Sequence, residues 1–223
     1  MNARPSAPRR TQEGRRNEAE QKLLAAAAEL IGEVGPAGVT LANIGERAGY
    51  SRGLATHYFG SKGAMMKRLV DAVTDQFQVS IFVEHVADSA IQQLLNLVDV
   101  YFQTVADLKP INRARLVLWA DAVATPSTDV RPAMIAADRD FRTALIAGIN
   151  TGIESGDFPP DVNPAGLATV IIAMLRGTAL ETLLDDHIDV DACRGEVEKI
   201  LAARVGANTA APQHHQGTEE IER

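Results

Sequence analysis

Residues 40–62 read TLANIGERAGYSRGLATHYFGSK, and this stretch decides the fold of the N-terminal part of the chain. A short helix is predicted after Thr40, an N-cap type of residue, and Gly49 is expected to end it. Ser51 is expected to cap a second helix over residues 52–58. The turn at 49–51 contains a glycine, which adopts the left-handed conformation that such a turn requires. The spacing therefore predicts a helix-turn-helix.

Longer helices are predicted on both sides of this unit. The preceding helix runs from about Arg15 to Val34, where the sequence Gly-Pro-Ala-Gly at 35–38 stops it. Ser61 is expected to cap the following helix. We therefore predict a three-helix DNA-binding domain over residues 13–62.

In a helix-turn-helix the second helix lies in the major groove, so its outward side chains read the DNA. Ala55 and Phe59 lie four residues apart and are expected to face the core. Arg52 suits hydrogen bonding to guanine, and Leu54 suits contact with a thymine methyl group. A glycine lets the protein backbone approach the DNA closely, and hydroxyl or amine groups suit its phosphates. The predicted DNA-binding residues are Thr40, Arg52, Gly53, Leu54, Thr56, His57, Tyr58 and Lys62.

The net charge of −7 conceals an uneven distribution. Residues 1–70 carry 11 basic and 6 acidic side chains, a net charge of +5, which leaves −12 for residues 71–223. Residues 1–12 are predicted to form a disordered basic arm, and 206–223 a disordered tail. Basic residues near the N-terminus either reach the minor groove or only aid solubility. They are Arg4, Arg9, Arg10, Arg15 and Arg16.

The chain resembles the TetR family of bacterial transcriptional regulators in residues 44–53 (IGERAGYSRG) and 58–62 (YFGSK). The resemblance is specific over residues 20–70 and architectural beyond them. It implies a homodimer with a three-helix DNA-binding domain and a ligand-binding domain, usually a repressor that a small molecule releases. Two positions depart from the family pattern. Thr56 stands where members usually carry tyrosine, and Gly45 replaces the usual alanine, which costs a helix about 0.5–1 kcal/mol.

The rest of the chain is also predicted to be helical. Thirty-five alanines and only 10 aromatic residues favour helices over strands. We predict a larger helical domain for ligand binding and dimerisation over 63–205. The helix over 165–184 is apolar on nearly every side, so one side is expected to meet a partner subunit. The predicted dimer interface comprises Ala168, Ile172, Leu175, Ala179, Leu183, Val197, Ile200 and Leu201.

Large apolar side chains of this domain either line an effector cavity or form core. A family-like pocket among these helices would suit a small, mainly apolar effector. The predicted ligand-binding residues are Phe102, Leu116, Trp119, Phe141, Leu145 and Met174.

The sequence contains no HExxH or phosphate-loop motif, and no catalytic residue is predicted. Carboxylates alternate over residues 185–191, but Val190 stands where a calcium loop needs glycine. We predict no metal site there, but a loop that ends in an N-cap at Asp189 or Asp191. No cofactor is expected.

The single cysteine, Cys193, suits a reducing cytosol, and the longest uncharged apolar run, 164–175, is shorter than a membrane span of about 18 residues. The protein is predicted to be a cytoplasmic, non-enzymatic transcriptional regulator that binds double-stranded DNA and has no membrane partner. Two alternatives remain: an all-α small-molecule carrier or enzyme that does not bind DNA, and an interaction scaffold whose apolar helix docks a different protein.

Overall fold

A computed structural model describes residues 12–82, 89–107, 109–125 and 130–206, and every regular element within them is an α-helix. The all-α prediction is confirmed. Most of the predicted arm, including Arg4, Arg9 and Arg10, and residues 207–223 of the predicted tail lie outside this part of the chain. The helices of the described ranges are α1 (Gln12–Gly38), α2 (Leu41–Arg47), α3 (Leu54–Phe59), α4 (Lys62–Phe82), α5 (Ala90–Ala106), α6 (Pro110–Ala124), α7 (Val130–Glu154), α8 (Pro164–Leu184) and α9 (Val190–Val205).

Helix α1 bends sharply before it ends. Gly35 has φ 70° and ψ 168°, values that break the helix at the predicted position. Contrary to the prediction that the helix stops at Val34, one further turn follows the bend and ends at Gly38. Glycine permits this positive φ without the clash that a side chain would cause. Val39, fully buried, then leads into α2.

Three N-caps start later helices, and two of them, at Ser61 and Asp189, are predicted from the sequence. Ser61 Oγ, Asn163 Oδ1 and Asp189 Oδ1 each accept a hydrogen bond from the backbone N–H three residues ahead, at 3.1, 2.8 and 2.9 Å. The last of these bonds assigns the start of α9 to Asp189 rather than to Asp191. Short polar side chains thus fix the helix boundaries where the sequence places them.

Two groups of buried side chains form the core, and we call them the head cluster and the body cluster. The head cluster joins α1–α4 but also takes in the buried faces of α6 and the start of α7. The body cluster joins α5, α7, α8 and α9. The α6 and α7 side chains in the head cluster are Ala114, Leu118, Ala122, Val130 and Met134.

Helix α6 is therefore part of the support of the DNA-binding unit. It packs along α1, and Arg113 Nε donates to the carbonyl oxygen of Gly32 at 3.2 Å. The domain predicted over 13–62 thus shares its core with helices assigned to 63–205. A movement of α6 would act directly on α1 because the two helices share buried side chains.

The predicted dimer face of α8 and α9 is wrong for most of its residues. Ala168, Ile172, Leu175 and Ala179 are buried in the body cluster, as are Val197 and Leu201 of α9; Leu183 packs against the same cluster. They are covered by α5 and α7 of the same chain and are not available to a partner. Ile200, 53% exposed, is the one predicted interface residue that is well exposed.

A different face of α8 is exposed. At helical spacing it carries one charged residue, Glu181, among small or apolar residues: Gly166, Val170, Ala173, Gly177 and Leu184. Among the described helices, α8 alone is long and apolar enough to cross a membrane by length and composition. About a third of its most apolar stretch is buried within the described structure, 33% by residue.

Candidate DNA-binding surface and effector cavity

Hydrogen bonds to backbone groups hold the helix-turn-helix together, and some of them are predicted from the sequence. Thr40 Oγ1 accepts from the N–H of Asn43 at 3.2 Å, and Asn43 Oδ1 accepts from the N–H of Thr40 at 2.8 Å. This capping box starts α2. In the turn, Gly49 has φ 79°, and the N–H of Tyr50 donates to Gly45 O at 2.8 Å.

Gly45 is where the turn approaches α2 most closely. A Cβ added there would lie 2.6 Å from the carbonyl oxygen of Ser51 and 3.5 Å from the Cα of Arg52. The sequence reading treated this glycine only as a weak point of the helix. The structure adds to that interpretation, because in this chain the turn lies close against the Cα of Gly45.

Arg47 fastens α2 to α1. Its guanidinium bonds Glu33 through two nitrogens, at 2.7 and 2.8 Å, and Glu29 at 3.3 Å. These bonds raise the pKa of Arg47 above its usual value and lower that of Glu33. The sequence reading did not single out Arg47, although the bidentate pair sets the position of α2 on α1.

The recognition helix α3 begins later than predicted. It starts at Leu54, with Gly53 as its N-cap, because the N–H of Leu54 donates to Ser51 O at 3.0 Å in a turn. Thr56 and His57 are exposed, whereas Leu54 and Tyr58 are half-buried. Ala55 is fully buried, as predicted, and anchors the helix.

Arg52 precedes α3 and is already engaged. Its Nε donates to the carboxylate of Glu46 on α2, and this contact raises the pKa of Arg52. The side chain is nevertheless 75% exposed. An approaching DNA base would therefore compete with Glu46 for the guanidinium.

The predicted DNA-binding residues with hydroxyl or amine groups suited to phosphates include Thr40 before α2, Tyr58 in α3 and Lys62 at the start of α4. Thr40 is exposed at the start of α2, and Lys62 Nζ donates to Ala37 O at 3.3 Å. Arg15 and Arg16, exposed near the N-terminus of α1, line an open depression together with His57 and Tyr58. Of the predicted DNA-binding residues, His57 and Tyr58 are thus brought together with the two arginines of α1. Most of the predicted residues carry polar or basic groups.

A cavity lies where the head and body clusters meet, and we call it the effector cavity. Three of the six predicted ligand-binding residues line it, namely Leu116, Trp119 and Phe141. The remaining lining residues are Thr74, Tyr101, Arg115, Met134, Ala137, Asp138, Ile172, Leu175 and Arg176.

The other three predicted ligand-binding residues lie elsewhere. Phe102 is buried in the body cluster, and Met174 packs against that cluster. Leu145 lines a separate groove between α5 and α7. In the sequence these three residues look like the three that line the cavity, because all six are apolar residues at helical spacing. The spacing alone therefore could not separate the two groups.

Charged groups of the effector cavity were missed by the sequence reading. Asp138 on α7 accepts hydrogen bonds from Arg142 at 2.8 Å and from Arg176 at 2.6 Å. Burial raises the pKa of Asp138, but the two guanidinium bonds outweigh it and hold the pKa below its ordinary value. A usable signal existed, since Arg176 is the only basic residue of α8 and one of only two charged residues in that helix, the other being Glu181.

Both guanidiniums that line the cavity also lie over aromatic rings. The Cζ atom of Arg176 is 4.5 Å from the centroid of Trp119. That of Arg115 is 5.3 Å from the centroid of Tyr101. These are cation–π distances, so each ring face is shared with a protein cation.

The acidic loop before α9 brings three potential ligand atoms together. Asp185, Asp186 and His187 offer atoms within 4.8 Å of one another, and all three residues are exposed. Exposed acidic loops of this kind are common without a metal.

The single cysteine, Cys193, is only partly exposed.

Comparison with known protein families covers both the head and the body. Residues 23–69 match the model of bacterial regulatory proteins of the tetR family, and residues 90–206 match the model of the C-terminal domain of BetI-type transcriptional repressors. The chain belongs to the TetR family. It is a DNA-binding transcriptional regulator, and the resemblance seen in the sequence is confirmed.

Curated relatives agree over part of the chain. The HTH-type transcriptional regulator BetI of Escherichia coli O17:K52:H18 (strain UMN026 / ExPEC) is 31% identical over 109 residues. That match covers 48% of this chain and 56% of the relative, so it spans about half of each. TetR-family regulators are non-enzymatic DNA-binding proteins, which confirms the prediction of a non-enzymatic regulator.

Solved structures share the fold over most of the chain. A TetR-family transcriptional regulator from Agrobacterium tumefaciens aligns with a TM-score of 0.72 at 20% identity, covering 85% of this chain and 98% of its own. The fatty acid degradation regulator FadR from Bacillus halodurans gives 0.71 at 20% identity, with 89% and 96% covered. A transcriptional regulator from Saccharomonospora viridis in complex with choline gives 0.70 at 22% identity, with 85% and 98% covered.

Proposed function

We propose that this TetR-family protein is a cytoplasmic homodimeric repressor that binds a pseudo-palindromic operator and is released by a small-molecule effector. The observation that carries the proposal is the position of the effector cavity. Its wall includes Met134, which belongs to the head cluster that supports the helix-turn-helix. The match to the BetI-type repressor model supports the repressor role.

Operator binding is proposed to rest on exposed side chains of the head. Thr56 and His57 are in position to reach base edges, and Arg52 becomes available once it leaves Glu46. Thr40, Gly53, Leu54, Tyr58 and Lys62 complete the proposed DNA surface, with Arg15 and Arg16 adding positive charge beside Tyr58. Two such heads would enter major grooves about 34–36 Å apart.

The homodimer is proposed to form through the exposed face of α8. Val170 is 53% exposed and Leu184 is 83% exposed, an arrangement that leaves apolar surface in water. The glycines and alanine of the same face would let a second helix approach closely. Ile200 of α9 would extend this interface.

Effector release is proposed to act through α4 and α6. Thr74 of α4 and Trp119 of α6 both line the effector cavity, and both helices pack in the head. An effector that separates these helices would move the two heads out of register with the operator. It shifts the equilibrium only by its differential affinity for the two states.

The experiment is a fluorescence-anisotropy titration of the protein with a labelled duplex from the region upstream of its own gene. We expect binding that weakens with salt, with a slope of about −0.9 per phosphate contacted. Arg52→Ala should weaken binding about ten- to a hundredfold and change the preferred bases, while Tyr58→Phe should weaken binding to all duplexes alike.

Arg204→Ala is the matched control, because it removes an exposed arginine from the end of α9, far along the chain from the head. It should bind DNA as the wild type does. If the wild type binds no duplex at low salt, the repressor proposal fails. The alternative of a small-molecule carrier that does not bind DNA is then favoured. Sedimentation as a monomer at micromolar concentration would refute the dimer.

A further inference from the structure

The effector cavity is lined by charges of both signs, with cations in excess by one. Among the described lining residues, Arg115 and Arg176 are cationic and Asp138 is the one carboxylate. This occurs in a part of the chain, residues 71–223, whose net charge is −12. The cavity wall thus concentrates positive charge in an otherwise acidic body.

The groups that would receive a cationic ligand are already occupied by arginines. Asp138 accepts from Arg142 and from Arg176, so its charge is balanced by two guanidiniums. The ring faces of Trp119 and Tyr101 each lie under a guanidinium. A quaternary ammonium binds proteins mainly through such ring faces, so here it would have to displace a protein cation.

We propose that the effector is an apolar molecule with a single anionic group, a carboxylate or a group of similar charge and shape, held by Arg115 and Arg176. This inference rests on the proposed function, because it assumes that the cavity is the effector site. It names the chemical class that the site selects and excludes a cationic effector such as choline.

Arg176 is suited to hold such an anion. Within the described part of the chain it bonds Asp138 through one nitrogen, Nη2, whereas a guanidinium carries five N–H donors in a planar fork. The same fork matches a carboxylate bidentately. Its side chain is only 16% exposed, so an ion pair formed there would be weakly screened.

The apolar part of the effector has its own lining. Leu116, Met134, Phe141, Ile172 and Leu175 surround the charged groups, and all five are buried. Such a wall gains free energy from burying a hydrocarbon or aromatic body. The combination of an apolar wall and two guanidiniums selects an amphipathic anion over a fully polar one.

The cavity also predicts a movement on binding. It encloses about 40 Å³, which is room for a few water molecules. The cavity is partly open, so an effector of ordinary size must either extend out of it or displace part of the wall. We expect the anion to draw the guanidinium of Arg176 away from the Trp119 ring, which opens the cavity at the junction of the two clusters.

Trp119 provides the measurement, because it is the only tryptophan of the chain. Its fluorescence would be titrated in the DNA-free protein with two sets of probes that differ only in the head group. One set is octanoate, octanamide and octyltrimethylammonium; the other is benzoate, benzamide and phenyltrimethylammonium. We expect a carboxylate to bind about tenfold or more tightly than its amide, and no ammonium probe to match it.

Variants assign the preference to the two guanidiniums. Arg115→Gln and Arg176→Gln should each reduce the carboxylate-to-amide ratio severalfold, whereas Arg176→Lys should keep part of it because the charge remains. Arg139→Gln removes an exposed arginine next to Asp138 that does not line the effector cavity, and it should keep the full ratio. Helix content measured by circular dichroism separates lost binding from lost folding.

Two results would overturn the inference: an ammonium probe that binds as tightly as its carboxylate counterpart, or carboxylates that bind no better than their amides or not at all. The proposed function is tested separately by the duplex titration. A protein that selects carboxylates but binds no duplex would refute the repressor and leave the anion site standing. A protein that binds duplex but shows no carboxylate preference would refute the anion site and leave the repressor standing.

Discussion

Replacing Gly45 with alanine sets two opposing effects against each other. Alanine is the better helix former, which would stabilise α2 by about 0.5–1 kcal/mol. Against this, the new Cβ would lie 2.6 Å from the carbonyl oxygen of Ser51, a distance that Cβ atoms essentially never show. The obstructing atom belongs to the backbone, so it cannot rotate away as a side chain would.

The backbone must shift by several tenths of an ångström to relieve this contact. The shift would strain the bond from Tyr50 N to Gly45 O and the bond from Leu54 N to Ser51 O, which are 2.8 and 3.0 Å long. Overpacking of this kind costs about 1–3 kcal/mol. The steric term therefore exceeds the propensity term, and we expect Gly45→Ala to lower the free energy of unfolding by about 1 kcal/mol.

The assay is urea unfolding followed by circular dichroism at a fixed protein concentration, since dimerisation would contribute to stability. Gly148→Ala is the matched control, because Gly148 lies inside α7 and a Cβ there meets nothing within 4 Å. That control should be about 0.5–1 kcal/mol more stable than the wild type. A Gly45→Ala protein that is stabilised like the control would refute the close-approach explanation.

Two further predictions concern charges near the two sites. The Glu46→Gln protein should bind DNA about two- to fivefold more tightly than the wild type, because Arg52 would no longer have to leave an ion pair to reach the duplex. Weaker binding in the anisotropy titration would mean instead that Glu46 orients the guanidinium of Arg52. Asp138 has a lowered pKa in the folded state, so its contribution to stability is present above the unfolded value of about 3.8 and is lost as the pH falls through the folded value. The stability difference between wild type and Asp138→Asn, measured by urea unfolding, should therefore be constant at neutral pH and shrink in acid. A difference that grows as the pH falls below about 3.8 would contradict this assignment.

Local signals in the sequence were sufficient for the DNA-binding unit. The cap at Thr40 and the turn glycine at 49 are short-range features, and the structure forms both where they were predicted. The exception is the start of α3, which moves from residue 52 to Leu54 because a turn at Ser51 satisfies the backbone before the helix begins. A turn and a capped helix start require the same types of residue, so the sequence does not separate them.

The faces of α8 could not be assigned from the sequence, because nearly every position of the helix is apolar. Ala168 and Ala173 look alike in the sequence, yet one is buried and the other exposed. The choice depends on where α5 and α7 pack, which is information from distant parts of the chain. Arg176 shows the opposite case, since a charge among apolar neighbours is unusual enough in the sequence to mark its position as a candidate site even before its partners are known.

The shared packing of α1, α6 and the effector cavity bears on how regulators of this architecture diversify. If the head were an autonomous module, exchanging residues 1–62 between relatives would transfer operator choice intact. Here the transplanted α1 would have to match Ala114 and Leu118 of a foreign α6. Heads and bodies are therefore expected to change together in evolution, and a working chimera should need its α6 surface to travel with the head.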